Sequence, residues 1–269
     1  MRADQTRFAS RVWDRVRFLS RCARERVEGV PIRVGNHKKG LPIPPPHLLH
    51  LVSGTEDVAR FLGSGGDAVW GIREILATNG LRLEDFEAIL DFGCGAGRVL
   101  RHMADVRGPS LHGADYNDEL IAWCRRNLGF AEFQTNGPGG GIAGPSWRYD
   151  FVYALSVFTQ LSEALQFSWI RELSRVLRPG GHLLLTTQGE HDLPRLTADE
   201  QARFRRGELV VRVTRRKGCN DCATFHPPGY VREKLAKGFT VVDFLPQGVG
   251  GLSRQDVYLL KKDPSPLAT

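Results

Sequence analysis

No apolar stretch in this 269-residue chain approaches the length a membrane-spanning helix needs, about 18–20 residues. Arginines interrupt every apolar run before residue 30, so a secretory leader is not predicted either. Cysteine is scarce: five residues, an odd number and scattered, which argues for reduced thiols in a cytoplasmic setting rather than a disulfide framework. Charge of one sign is almost absent as an excess outside the N-terminus. Residues 1–40 hold 11 Lys/Arg against 4 Asp/Glu and carry the whole net charge of +7, while the remainder is balanced at 26 against 26. The body is therefore not a basic protein, and nucleic acid is a less favoured partner than the overall charge suggests. No internal repeat is present. Hydrophobic residues at 41% still suffice for a sizeable core.

What the chain does have is the run Ile89-Leu90-Asp91-Phe92-Gly93-Cys94-Gly95-Ala96-Gly97-Arg98. It reads as a buried strand, a turn of alternating glycines and the start of a helix over 98–106. Glycine at every second position lets backbone approach a ligand with no Cβ in the way, and a helix start offers unpaired N–H groups. Two further absences narrow the ligand. The dinucleotide fingerprint needs Gly or Ala where Arg98 stands, and the P-loop lysine is missing.

The rest of the pattern alternates strand and helix: strands at 87–92, 110–115, 131–135, 149–156 and 182–187, with helices at 118–128 and 162–177. That order predicts an α/β fold with a doubly wound, mostly parallel sheet and helices on both faces. Upstream, Phe8, Val12, Val16, Leu19, Ala23 and Val27 mark an amphipathic helix with arginines elsewhere. Such a helix suits docking on the domain, an anionic membrane surface or an oligomer contact through residues 1–30. Pro42-Ile43-Pro44-Pro45-Pro46 is a stiff connector. Two helical runs follow (Val58, Phe61, Leu62; then Val69, Ile72, Ile75, Leu76), with Gly63-Ser64-Gly65-Gly66 between them. About forty residues separate the fifth strand from Tyr230, long for a connection and therefore a candidate lid. They include a polar helix over 198–206 and a strand over 209–213. The expected divisions are a basic helical extension over 1–40, a linker and helical cap over 41–85, a binding domain over 86–262 with its lid at about 189–228, and a flexible tail from 263.

Asp91-x-Gly93-x-Gly95-x-Gly97 resembles the first motif of the class I S-adenosylmethionine (SAM) dependent methyltransferases of small-molecule type. Leu111-His112-Gly113-Ala114-Asp115, a strand ending in an acid, matches the second. Tyr149 to Ser156 resembles the fourth strand, and Leu177-Arg178-Pro179-Gly180-Gly181 with Leu183 to Leu185 the helix–turn–fifth-strand signature. Phe239–Phe244 and Asp256–Lys261 match the closing strand pair, so the resemblance covers about residues 86–262 of a seven-stranded sheet. It implies SAM as cofactor and S-adenosylhomocysteine (SAH) as product. Asp115 would then take the ribose hydroxyls, Tyr116 would stack on adenine, and Asn136 would meet the adenine amine. Gly93, Cys94, Gly95 and Gly97 would admit the methionine portion, Arg98 would assist its carboxylate, and Asp91 would brace the loop or touch the ligand. Ser156 would lie where the methyl group points.

Methyl transfer is an in-line displacement, so positioning supplies much of the catalysis, and a base matters only for an un-ionised hydroxyl. Many small-molecule members carry histidine after the fourth strand in a run such as S-V-F-T-H-L; here the run is Ser156-Val157-Phe158-Thr159-Gln160-Leu161. Gln160 can bond an acceptor but cannot take its proton, leaving His226 as the expected base. Phe158, Gln160, His191 and Asn220 are the expected acceptor contacts. Cys219-x-x-Cys222 with His226 hints at zinc, but a structural site needs a fourth ligand at matching spacing, and no second Cys-x-x-Cys exists, so no metal is predicted. The reading is methyl transfer to a hydroxyl of a small or medium acceptor: a sugar, glycolipid or specialised metabolite. A nucleic-acid methyltransferase is the alternative, drawn from the arginines around the lid. A non-catalytic SAM-binding subunit is the second.

Overall fold

The computed structural model describes residues 40–137, 141–213, 222–252 and 254–264. The expected N-terminal helix, Cys219, Asn220 and the last residues of the tail lie outside the described residues.

Strands β1 (Ala88–Phe92), β2 (Ser110–Asp115), β3 (Glu132–Thr135), β4 (Tyr149–Ala154), β5 (Leu177–Thr187), β8 (Phe239–Leu245) and β9 (Asp256–Lys262) form one sheet in the order β3-β2-β1-β4-β5-β9-β8. Every pairing from β3 through β5 is parallel, and only β9 runs against its neighbours. Every residue of β1 is buried, as a strand covered on both faces requires. This is the doubly wound sheet that the sequence predicts. The carboxyl ends of β1, β2, β4 and β5 meet along one edge, where ligands bind in such sheets.

Helices α1 (Pro46–Ser53) and α2 (Val58–Thr78) precede the sheet. Leu48, Leu49 and Phe61 pack with Ala96 and Leu120 over the glycine turn. The two helical runs expected on either side of Gly63-Ser64-Gly65-Gly66 are a single 21-residue helix, started by the Asp57 carboxylate accepting from Ala59 and Arg60 N–H. The glycines do not interrupt it, because they serve close approach. A Cβ on Gly65 would collide with the Arg98 carbonyl oxygen and lie 2.9 Å from the His102 ring. One turn and a half on, a Cβ on Gly71 would lie 2.7 Å from the Val249 carbonyl oxygen, and the backbone at Gly251 presses on Ala68. One rod thus touches both the loop after β1 and the loop between β8 and β9.

The helix expected at 98–106 is only a 3-10 turn, Leu100–Met103. With α2 seated on Arg98, the chain tightens, and His102 N–H bonds the Val99 carbonyl rather than that of Arg98. Helix α3 (Asp118–Asn127) is capped by Asn117. Helix α4 (Glu163–Val176) ends where β5 begins, five residues earlier than expected. The extra residues form a bulge opposite Tyr149–Phe151, turned by Gly180 at φ +77°.

In the insertion after β5, a 3-10 segment (Glu190–Arg195) leads to α5 (Ala198–Arg205), closed at its start by a Thr197–Glu200 capping box. Strand β6 (Val210–Val213) pairs antiparallel with β7 (Cys222–Phe225), a partner the sequence pattern did not show. A bridge from Gln188 to Phe225 hangs this hairpin on the end of β5. The short α6 (Pro228–Tyr230) continues through a π turn, Val231–Leu235.

Candidate active site

The glycine turn is stitched to the end of β2: Gly93 and Cys94 N–H both donate to the Ala114 carbonyl at 2.8 and 3.1 Å. Gly93, Gly95 and Gly97 have φ of +82°, +55° and +70°, a region L side chains rarely adopt. Two valines roof the turn. A Cβ on Gly93 would strike Val157, and one on Gly95 would lie 2.9 Å from Val52. Sequence reasoning missed Val52, since nothing local marks an α1 residue as belonging to this turn.

Asp115 sits at the end of β2, buried, its two oxygens accepting Gly95 N–H and Asn117 N–H at 2.9 Å each. A carboxylate oxygen has more than one lone pair, so the same group can brace the turn and still receive hydroxyl hydrogens. Asn136 ends the third strand, where its N–H bonds the Asp115 carbonyl at 3.0 Å. Its side-chain oxygen is buried with no hydrogen-bond partner among the described residues. An orphaned acceptor of this kind calls for a donor from outside the chain, and an adenine amine is such a donor. Tyr116 stands on the rim, 60% exposed.

Asp91 is 3% exposed, and burial pushes its carboxyl up to about 7, with the Tyr153 hydroxyl and the Arg98 charge opposing. Its second oxygen has no hydrogen-bond partner. Arg98 is engaged with the Ser64 hydroxyl of α2 at 3.3 Å. Cys94 departs from expectation. Its side chain is buried, donating to the Gly95 carbonyl at 3.6 Å, so only its backbone faces the turn.

At the end of β4 the Ser156 backbone holds φ +60°, unusual away from glycine. Thr186 accepts from its N–H at 2.8 Å, and its hydroxyl donates to Gln255 at 3.0 Å. Gln160 is half-buried nearby and His191 is exposed. Phe158, expected at the acceptor, is fully buried in the main core, in the same cluster as Trp169 and Leu185. It offers an acceptor no surface.

His226 requires the larger correction. Its ring is fully buried, Nε2 lies 3.0 Å from Gln166 Oε1, and its backbone N–H bonds the Gln188 carbonyl. Burial depresses its pKa to about 3. With its ring held on Gln166 and its basicity depressed this far, His226 is placed to tie the insertion after β5 to α4 rather than to take up a proton near neutral pH. A group with a depressed histidine pKa stays neutral when folded while the unfolded chain takes up a proton below about 6.5. Stability should therefore fall as pH drops from about 6.5 towards 3, by about 1.4 kcal/mol per pH unit from this residue. Urea titrations from pH 7 to 4.5 should show a shallower slope for His226→Gln than for the wild type.

Among the described residues of the insertion after β5, Arg203 and Arg206 pair with Glu208, Arg212 with Glu200 and Arg195 with Asp192, while Arg205 bonds the Gln201 side chain. A cleft of about 630 Å³ lies between the insertion after β5 and α6 with its π turn, lined among others by Glu190, Phe204, Arg205, Pro227, Tyr230 and Lys234. Among the described residues no group of three or more potential metal ligands occurs, and no helix is long and apolar enough to cross a membrane.

Residues 70–225, more than half the chain, match a family described as a methyltransferase domain. Two relatives are 32% identical: a malonyl-[acyl-carrier protein] O-methyltransferase of Enterobacter lignolyticus over 111 residues (41% of this chain, 43% of that protein), and a fatty-acid O-methyltransferase of Mycolicibacterium smegmatis over 110 residues (39% of each). The match thus spans about two fifths of each relative. Among solved structures, a SAM-dependent methyltransferase of Methanosarcina mazei superposes with a TM-score of 0.51 at 21% identity, covering 70% of this chain and 98% of the other. A glycopeptide N-methyltransferase complexed with SAH superposes at 0.53 with 17% identity, covering 74% and 90%. Those likenesses bear on fold alone. Together with the matched domain, the seven-stranded order and the glycine turn, they place this chain in the class I, SAM-dependent methyltransferase family.

Proposed function

We propose that the protein transfers a methyl group from SAM to an oxygen of a small or medium acceptor, a hydroxyl of a sugar, glycolipid or specialised metabolite. When bound, the cofactor supplies an electrophilic methyl on a sulfonium, and the chain's task is to orient and enclose it. Asp115 takes the ribose hydroxyls, Asn136 the adenine amine, and the turn 93–97 admits the methionine portion under Val52 and Val157. Asp91 and Arg98 set the charge beneath that turn. Ser156 and Gln160 border the methyl, and the cleft between the insertion after β5 and α6 receives the body of the acceptor. The observation that carries cofactor binding is the buried, unpartnered oxygen of Asn136 at the strand end beside Asp115. Oxygen as the methylated atom is supported by the two relatives, both O-methyltransferases by name.

Among the described residues Arg203, Arg206 and Arg212 are each paired with a carboxylate, which favours a small acceptor over a phosphate-tracking surface. Incubation with methyl-labelled SAM and a fractionated cell extract tests the reading. Label should enter low-molecular-weight or lipid fractions and be held in an ether or ester. Label in RNA or protein would overturn it, and tight SAH binding with no transfer in any fraction would indicate a binding subunit.

A further inference from the structure

The start of β9 and the end of β5 enclose a polar cluster that cofactor binding leaves unused. Thr187 and Asp256 lie directly opposite each other in the antiparallel pair, so their side chains share one face, and Tyr258, two residues on, shares it too. Asp256 is 3% exposed, with one oxygen accepting the Gln247 N–H at 3.0 Å. Any side chain on Gly189 would collide with the Asp256 carboxylate, so glycine there keeps the space the carboxylate occupies. Asp192 adds a second acid, 7% exposed, bonded through one oxygen to Arg195 at 2.7 Å.

Three polar atoms around this point are buried with no hydrogen-bond partner among the described residues: Thr187 Oγ1, Tyr258 OH and Asp192 Oδ2. Thr187 and Tyr258 are fully buried. Each such atom costs on the order of 1–3 kcal/mol, and a concentration of them marks a place where a ligand's polar group completes the set. A purely structural role for Asp256, bracing the β8–β9 loop, accounts for its bond to Gln247 and for nothing at Thr187 or Tyr258. The cluster also adjoins the transfer site: Gln255, next in the chain, accepts the hydroxyl of Ser156 at the end of β4.

We propose that this cluster is the acceptor-hydroxyl subsite, and that Asp256 takes the proton of the hydroxyl being methylated while Thr187 orients it. The inference rests on the O-methyl reading above. As the acceptor oxygen bonds to the methyl carbon, the carbon–sulfur bond breaks and its electron pair stays on sulfur, giving neutral SAH. The hydroxyl proton passes to the Asp256 carboxylate and later to water. Burial, with Glu190 and Asp192 nearby, raises the Asp256 carboxyl to about 6, while the Gln247 N–H and His191 oppose. Arg195 is engaged on Asp192, and Arg232 lies near Tyr258. The group is thus ionised at neutral pH and more basic than an ordinary carboxylate, as a base for this step requires.

Two readouts on the full-length protein test this. In protein labelled with [13Cγ]aspartate and saturated with SAH, one carboxyl resonance should titrate near pH 6 and vanish in Asp256→Asn. Turnover is then compared on methyl 3-hydroxydecanoate, which offers only a hydroxyl, and decanoate, which offers an ionised carboxylate needing no base. Asp256→Asn should lose roughly 10²–10⁴-fold in kcat on the hydroxyl probe, with KM little changed and the acid limb near pH 6 abolished. Any turnover of decanoate should change only a few-fold. Retained SAH affinity shows that the variant is folded, and the milder Thr187→Val should lower hydroxyl turnover while keeping the acid limb. Hydroxyl turnover within a few-fold of wild type in Asp256→Asn, or the absence of a resonance titrating near pH 6 that this substitution removes, overturns the assignment while leaving O-methyl transfer standing. A wild type whose label from SAM enters only nitrogen- or carbon-bound methyl groups in the fractionated extract overturns the O-methyl reading and the subsite with it.

Discussion

Gly65→Val is expected to cost about 3 kcal/mol of stability and Gly63→Ala, half a turn away on the same helix, to add about 1 kcal/mol. At Gly65 any Cβ meets the Arg98 carbonyl oxygen, a backbone atom that cannot swing aside, and behind it the His102 ring. Overpacking a rigid contact of this kind costs about 1–3 kcal/mol, and more where backbone must move. At Gly63 nothing lies within 4 Å, so alanine removes only the entropy penalty that glycine carries in a helix interior. Urea midpoints of the two variants should move in opposite directions. Parallel movement would mean that α2 does not press on the turn after β1. Because Arg98 flanks the glycine turn, Gly65→Val should also weaken SAH binding in whatever fraction remains folded.

Asp115→Ala is expected to weaken SAH binding about 100-fold. Hydrogen bonds to a charged group are worth roughly 1.5–3 kcal/mol each, and loss of a bidentate hold on the ribose comes to about 3 kcal/mol, or two decades in Kd. The same substitution frees the Gly95 and Asn117 N–H groups, so stability without ligand should fall as well. Calorimetry with SAH, set beside thermal melts of the ligand-free protein, separates the two effects. An affinity within three-fold of wild type would remove Asp115 from the cofactor site. Asp115→Asn, which keeps the shape and one acceptor oxygen, should fall between.

The sheet was legible because its strands are apolar on both faces and separated by glycine-rich turns, which leaves few alternative topologies. The acid ending β2 and the alternating glycines could be found for the same reason: their spacing is local. What sequence could not show is what arrives from elsewhere. Gly63-Ser64-Gly65-Gly66 looks like a break between helices until Arg98 is seen against it, and the turn after Gly97 looks helical until that contact shortens it. Phe158 and His226 lie in segments that resemble acceptor-facing ones, but their burial depends on residues distant in the chain: the main core cluster for Phe158 and Gln166 for His226. Asp256 gave no signal beyond an acid before a run of apolar residues, since its partners Thr187 and Asp192 are more than sixty residues away in the chain.

The contact of α2 with two loops at once has a consequence for how this enzyme can diversify. Gly65 fits against the turn after β1, and Gly71 with Ala68 fits against the β8–β9 loop, whose Gly250 and Gly251 are equally crowded by Trp70 and Asp67. Neither loop can gain bulk without displacing the helix, and displacing the helix disturbs the other loop. Substitutions at positions 65, 68, 71, 250 and 251 should therefore be tolerated only in compensating combinations. New acceptor preferences would then arise more readily in the insertion after β5, where Gly207 has open space while Gly65 and Gly71 on α2 are crowded.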